Sequence, residues 1–226
     1  MHFRPTYFIW LFIFLVLSDS IVGASAFSGF RFITKPMILI ALIAYFIGNG
    51  KHLTKSTYYL TLSALFFSLL GDIFLIFDHG SNLYFISGLV SFLFAHILYT
   101  IVFLQQSSRK KSLGSWLITL LFLGYGATLF VLLQGSLDQL KLPVIIYILA
   151  ILVMAVSAYG RREKVNAISF NLVFLGALFF MASDTLLAID KFMFDVPWSS
   201  FAVMGTYATA QFLIVKGLLY ENMKKN

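Results

Sequence analysis

Two aspartates, Asp72 and Asp184, sit inside apolar runs long enough to cross a membrane, LFFSLLGDIFLIFD and LFFMASDTLLAID. An ionised carboxylate near the middle of a spanning helix costs at least ~2.5 to 3.5 kcal/mol on insertion scales, so such residues usually face a polar interior and act on protons, ions or substrate. Their settings match. Each follows a small residue (Gly71, Ser183), comes shortly after a Leu-Phe-Phe triplet, and precedes a further aspartate, Asp78 or Asp190. Those two fall at segment ends and read as solvated caps or loop residues.

Other polar side chains gather in the same or neighbouring segments. Ala64 and Ser68 share a helical face with Asp72, and Ala177 and Ala188 share one with Asp184; small residues of this kind let helices approach closely. Lys35-Pro36 opens the second segment, where proline suits a first helical turn and the lysine supplies a cation. His96 and Tyr99 form one stripe at i, i+3, and Tyr207 and Gln211 form another at i, i+4. A shift of 112 positions superposes Asp72 on Asp184, Asp78 on Asp190 and Tyr99 on Gln211, the pattern a parallel internal duplication leaves. The roster of candidate site residues is therefore Asp72 and Asp184, supported by Lys35, His96, Tyr99, Tyr207 and Gln211. One histidine within a span provides no metal-ligand spacing, and no metal or other cofactor is expected.

The elements that position these residues follow from composition. The chain has 226 residues, is 60% hydrophobic and 11% charged, and has a mean hydropathy of +0.92. It reads as an all-α, polytopic membrane bundle, one transmembrane domain over residues 1–226, because no stretch is left for a separate soluble domain. A helix needs ~20 apolar residues to cross the hydrocarbon core. Eight spans satisfy that, at about 6–26, 34–50, 56–77, 82–105, 113–133, 141–159, 166–189 and 198–220.

Zero cysteines exclude disulfides, cysteine metal sites and a thiol nucleophile. The net charge of +7 comes from short basic clusters between spans, a positive-inside pattern rather than a nucleic-acid surface. One side carries Arg4, Lys51, Lys55, Arg109, Lys110, Lys111, Arg161, Arg162, Lys164, Lys216, Lys224 and Lys225, and the other only Arg31, Lys35, Lys141 and Lys191. Both termini are thus expected in the cytoplasm. Arg4, the apolar run from Tyr7 to Leu17 and Ala24-Ser25-Ala26 also fit a cleavable signal peptide, which would leave seven spans. Asp19, near the outer end of the first span, reads as a residue reaching the interface.

In order along the chain, KP at Lys35-Pro36, LLGD ending at Asp72, AHxxY from Ala95 to Tyr99, SDxLLA from Ser183 to Ala188 and YxxAQ from Tyr207 to Gln211 resemble the YhhN family of membrane proteins, which includes lysoplasmalogenases. The resemblance runs from about Lys35 to Gly217, with the first segment alike only in being hydrophobic. It implies an ether hydrolase that cleaves the vinyl-ether bond of lysoplasmalogens to a fatty aldehyde and glycerophosphoethanolamine or glycerophosphocholine. Its partners would be a lysophospholipid and the surrounding lipids, in the bacterial plasma membrane. Such chemistry needs an acid for the alkene carbon and an anion beside the oxocarbenium ion. Two nearby carboxyls in low dielectric supply both, one holding its proton while the other stays ionised. On this reading Asp72 and Asp184 are catalytic. Lys35 holds the phosphate or keeps one aspartate ionised, and His96, Tyr99, Tyr207 and Gln211 orient water or glycerol oxygens. The alternative is a proton-coupled transporter, which uses paired carboxylates and a lysine differently, although no segment is plainly broken at midspan. An intramembrane aspartyl protease fits less well, since a GxGD and a distal PAL motif are missing.

Overall fold

A computed structural model describes residues 5–25, 27–78, 82–107 and 113–221. Among them, every regular element is helical. The eight long helices are α1 (Pro5–Ala24), α2 (Arg31–Asn49), α3 (Lys55–Ile76), α4 (Asn82–Gln105), α5 (Leu113–Leu133), α6 (Lys141–Gly160), α7 (Ala167–Phe192) and α8 (Ser199–Tyr220), with short 3-10 turns between several of them. All eight are long and apolar enough to cross a membrane, and the protein is an integral multi-pass membrane protein. Large apolar side chains point outward along them, as at Trp10, Phe14, Leu120, Leu121 and Val131. In water such continuous apolar surface would drive association, whereas in a bilayer it is the lipid contact. Trp10, Trp116 and Trp198 are all exposed, as expected of rings near the interface.

Helix starts are set by side-chain caps at two places. Thr54 accepts the backbone N–H of Thr57 at 3.3 Å to open α3, and Asn166 accepts that of Ser169 at 2.9 Å to open α7. Each satisfies one of the amide donors that a first turn leaves without a partner. Two boundaries differ from the sequence reading. α2 begins at Arg31 rather than near Thr34, because the 3-10 turn Ser28–Phe30 feeds directly into it. Pro36 therefore lies inside the helix, where its ring removes the amide that would bond the carbonyl of Phe32. α7 runs on to Phe192, since Asp190 stays helical while its carboxylate accepts the N–H of Val196 at 2.8 Å and folds the following loop back.

The chain divides into two compact units, Met1–Tyr99 and Thr100–Lys224. In the first, α2 packs against both α1 and α3, burying Ile38, Leu39 and Leu42 with Ala64 and Leu65. In the second, α7 packs along α8, and α6 contacts α5 and α7. Gly176 permits the α7–α8 approach: a Cβ there would lie 2.8 Å from Ile214 Cγ1 and 2.9 Å from the Ala210 carbonyl oxygen.

Arg161 is not the loop cation that its sequence setting suggests. It is fully buried, donating through Nε to Gln106 Oε1 at 2.9 Å and through its terminal nitrogens to the Ser169 hydroxyl at 2.9 Å and carbonyl at 3.3 Å. The guanidinium also lies 5.7 Å from the Phe103 ring centroid, within cation–π range. One side chain so ties the end of α4 to the start of α7.

Candidate functional site

In the first unit, Asp72 is buried at 1% exposure, four residues before the end of α3. Gly71 fixes it there. A Cβ at position 71 would lie 2.7 Å from the Phe92 ring of α4, so only glycine allows this close approach beside the carboxylate. Lys35 reaches across from α2, its Nζ 3.4 Å from Asp72 Oδ1, with side-chain exposures of 13% and 2%. Sequence reasoning offered Lys35 as a cation for phosphate or for one of the two aspartates, and the structure pairs it with Asp72.

A second charged cluster lies one turn away along α2. Asp19, on α1, is fully buried rather than reaching outward. Its Oδ2 accepts from Arg31 Nη2 at 3.1 Å and its Oδ1 from the Thr34 hydroxyl at 2.6 Å. Arg31 had the look of a loop residue because it follows a Gly-Phe break. The helix beginning at that residue turns it, Thr34 and Lys35 toward neighbouring helices, since positions three and four apart share a face. His96 and Tyr99 are both fully buried on α4, at the interior positions their stripe indicates.

In the second unit, Asp184 is half-buried on α7, eight residues before its end, or about 12 Å at helical rise. That is three residues further from the helix end than the sequence spacing suggests, because α7 is longer. The Tyr147 hydroxyl of α6 donates to Asp184 Oδ2 at 2.7 Å. Sequence reasoning missed Tyr147. Its only signal is one hydroxyl in the otherwise aliphatic run PVIIYILAI, and a tyrosine in a span is easily read as packing. On either side of Asp184, the Ser183 hydroxyl donates to the Val203 carbonyl at 3.1 Å and Thr185 is hydrogen-bonded to the Tyr125 hydroxyl. Three neighbouring helices thus hold one turn of α7. Tyr207 is buried with its ring edge-on to Phe180 at 5.5 Å, and Gln211 is fully buried one turn further along α8.

Each unit therefore presents one carboxylate on a helix pinned by a small residue immediately before it, with a polar partner from an adjacent helix. Lys35 gives Asp72 a counter-charge. Tyr147 gives Asp184 a neutral hydroxyl that can donate to a carboxylate or accept from a carboxylic acid. Among the described residues no group of three or more histidine, cysteine, aspartate or glutamate side chains could hold a metal ion.

Comparison with known proteins identifies relatives of the same kind. The chain is 33% identical to lysoplasmalogenase TMEM86A of Bos taurus over 79% of its length and 73% of that protein. It is 32% identical to human lysoplasmalogenase TMEM86B over 72% of this chain and 64% of the relative. Membrane protein YhhN of Escherichia coli O6:H1 is 26% identical over 93% of this chain and 99% of its own length. The chain spans 61% to 73% of the length of the lysoplasmalogenases it matches. No solved structure matches. The YhhN family itself matches over residues 30–218, from the turn before Arg31 to the last turns of α8, and the chain belongs to that family.

Proposed function

We propose that the protein is a lysoplasmalogenase, hydrolysing the vinyl-ether bond of 1-alkenyl lysophospholipids within the membrane, with Asp72 and Asp184 as its reacting carboxyls. The observation that carries the reading is a pair of buried or half-buried aspartates with different partners, an ammonium at 3.4 Å and a phenol at 2.7 Å, in a chain whose relatives bear that name.

The reaction adds water across the vinyl ether. A carboxylic acid delivers its proton to the alkene carbon remote from oxygen, and the ether oxygen's electrons stabilise the resulting oxocarbenium ion. Water adds to the cationic carbon, losing a proton to the carboxylate just formed. The hemiacetal then collapses, its carbon–oxygen bond to glycerol breaking as the re-formed carboxylic acid protonates the glycerol oxygen and takes up the hydroxyl proton, to give aldehyde and glycerophospho-alcohol. Asp72 suits the anion, because an ion pair with Lys35 requires it as carboxylate. Asp184 suits the acid and returning base, because Tyr147 can serve either protonation state. Proton transfer from a positioned acid contributes roughly 10²- to 10⁴-fold, and an anion placed beside the developing cation adds electrostatic stabilisation.

Purified protein in detergent should release free aldehyde from 1-alkenyl-glycerophosphoethanolamine or the choline analogue. Asp72→Asn and Asp184→Asn should each abolish release while eluting as folded protein. Groups that act as one unit are non-additive, so the double variant should be no slower than either single one. Near-wild-type turnover in either single variant removes that residue from the chemistry. A protein that makes no aldehyde in detergent but moves protons or lipid between two compartments would be a transporter instead.

A further inference from the structure

We infer that Arg31, oriented by Asp19 and Thr34, forms with Lys35 a subsite for the phosphodiester of the lysolipid, a proposal that rests on the hydrolase reading above. Arg31 and Lys35 are four residues apart on α2, so they lie on one helical face, one turn from each other. Each is held by a carboxylate from a different neighbour, Asp19 of α1 and Asp72 of α3. Arg31 is the more open, its side chain 24% exposed against 0% for Asp19.

That contrast gives the pair its meaning. A buried ion pair is a weak stabilising device, since the desolvation of both charges offsets most of the attraction. It is a good orienting device. Asp19, itself gripped by the Thr34 hydroxyl at 2.6 Å, fixes the Nη2 edge of a guanidinium whose side chain remains 24% exposed. Arginine's planar donors match phosphate oxygens bidentately, and a lysine adds a point charge. The spacing also fits. A lysolipid's phosphate and vinyl-ether oxygen are separated by a three-carbon glycerol, comparable to the ~5.4 Å of one helical turn. Phosphate on Arg31, with the Lys35 charge on its inner side, therefore sets the glycerol along that turn and the cleaved bond at the level of Asp72.

The test compares lipids with and without phosphate. Equilibrium binding of a radiolabelled, uncleavable 1-alkyl-glycerophosphoethanolamine and of 1-alkylglycerol is measured on detergent-purified full chain. Arg31→Gln alone takes the counter-charge from the buried Asp19, so the Asp19→Asn/Arg31→Gln double variant is measured with it. Both variants should bind the phospholipid about 10- to 100-fold more weakly, the loss expected for charge-assisted hydrogen bonds, and bind 1-alkylglycerol as wild type does. Equal weakening for both lipids, or no weakening for either, overturns the subsite. Aldehyde release from the 1-alkenyl lipid is followed in parallel. Selective loss of phospholipid binding in the variants of a protein whose wild type releases no aldehyde leaves the phosphate subsite standing and removes the lysoplasmalogenase reading.

Discussion

Replacing Lys35 by methionine keeps most of the length of the side chain and deletes its charge, taking the counter-ion from an Asp72 carboxylate that is 1% exposed. Exposed ion pairs contribute ~0 to 1 kcal/mol, whereas removing one member of a buried pair costs ~3 to 5 kcal/mol because the remaining charge is left uncompensated. With side-chain exposures of 13% and 2% the Lys35–Asp72 pair belongs near the buried limit. Its 3.4 Å separation is looser than an optimal charge-assisted bond and trims the expectation to about 2 to 4 kcal/mol. Asp72→Asn should cost less, since the lysine stem can carry its ammonium toward the interface. The double variant Lys35→Met/Asp72→Asn should then recover most of the stability that Lys35→Met loses. Unfolding is followed by helical circular dichroism during titration of mixed micelles with dodecyl sulfate, and aldehyde release is measured on the same preparations. Stability should return in the double variant and activity should not. A Lys35→Met protein as stable as wild type, or a double variant no more stable than Lys35→Met, would refute the buried-pair argument.

Tyr147→Phe removes the donor to Asp184 Oδ2 without changing ring packing. Turnover should fall roughly 10-fold for one lost hydrogen bond to a reacting carboxyl, with the unfolding midpoint little moved; unchanged turnover would make Tyr147 a packing residue. Gly176→Ala pushes a methyl into the Ala210 carbonyl and Ile214 and should destabilise by about 1 to 3 kcal/mol as overpacking does. Gly205→Ala, which meets nothing within 4 Å, is the matched control and should unfold with wild type. Reporter fusions at the carboxyl terminus test the orientation drawn from the basic clusters: a cytoplasm-dependent fluorescent protein should light up, and an export-dependent phosphatase at that terminus should stay silent. Phosphatase activity there would invert the assignment.

The sequence displays helix number and length plainly, because a bilayer-sized apolar run admits few other structures once backbone groups must be satisfied internally. It displays helix starts where a side chain caps them. Thr54 and Asn166 are separated by the same 112 positions as Asp72 and Asp184, and α3 and α7 begin one residue after each cap. Partner choice is harder to see. A helix that is apolar on all sides hides which side faces its neighbour, so nothing in the run around Tyr147 announces that its hydroxyl meets Asp184. Asp19 and Arg31 were obscured for a different reason. Each lies near a segment end, where a charge is normally explained by water, and only the early start of α2 turns Arg31 inward. Arg161 was hidden in the same way among Arg162 and Lys164, which are exposed as loop cations should be.

The charged end of the first unit is difficult to account for by folding alone. α2 is held between α1 and α3 over a well-packed apolar stretch that includes Ile38, Leu39 and Leu42, all fully buried. Hydrophobic residues at positions 19, 31, 35 and 72 would extend that packing, and such replacements of buried ion pairs are often neutral or stabilising. Yet two aspartates and two cations stand there, within little more than one turn of α2. An orienting role explains the fully buried Asp19 behind a partly open Arg31, and a counter-ion role explains Lys35 beside Asp72. On the proposed reading both roles serve a ligand that is anionic at the helix end and reactive one turn further in. A single-chain phospholipid entering from the leaflet has that order of groups, with phosphate at the interface, then glycerol, then the ether bond at the start of its chain.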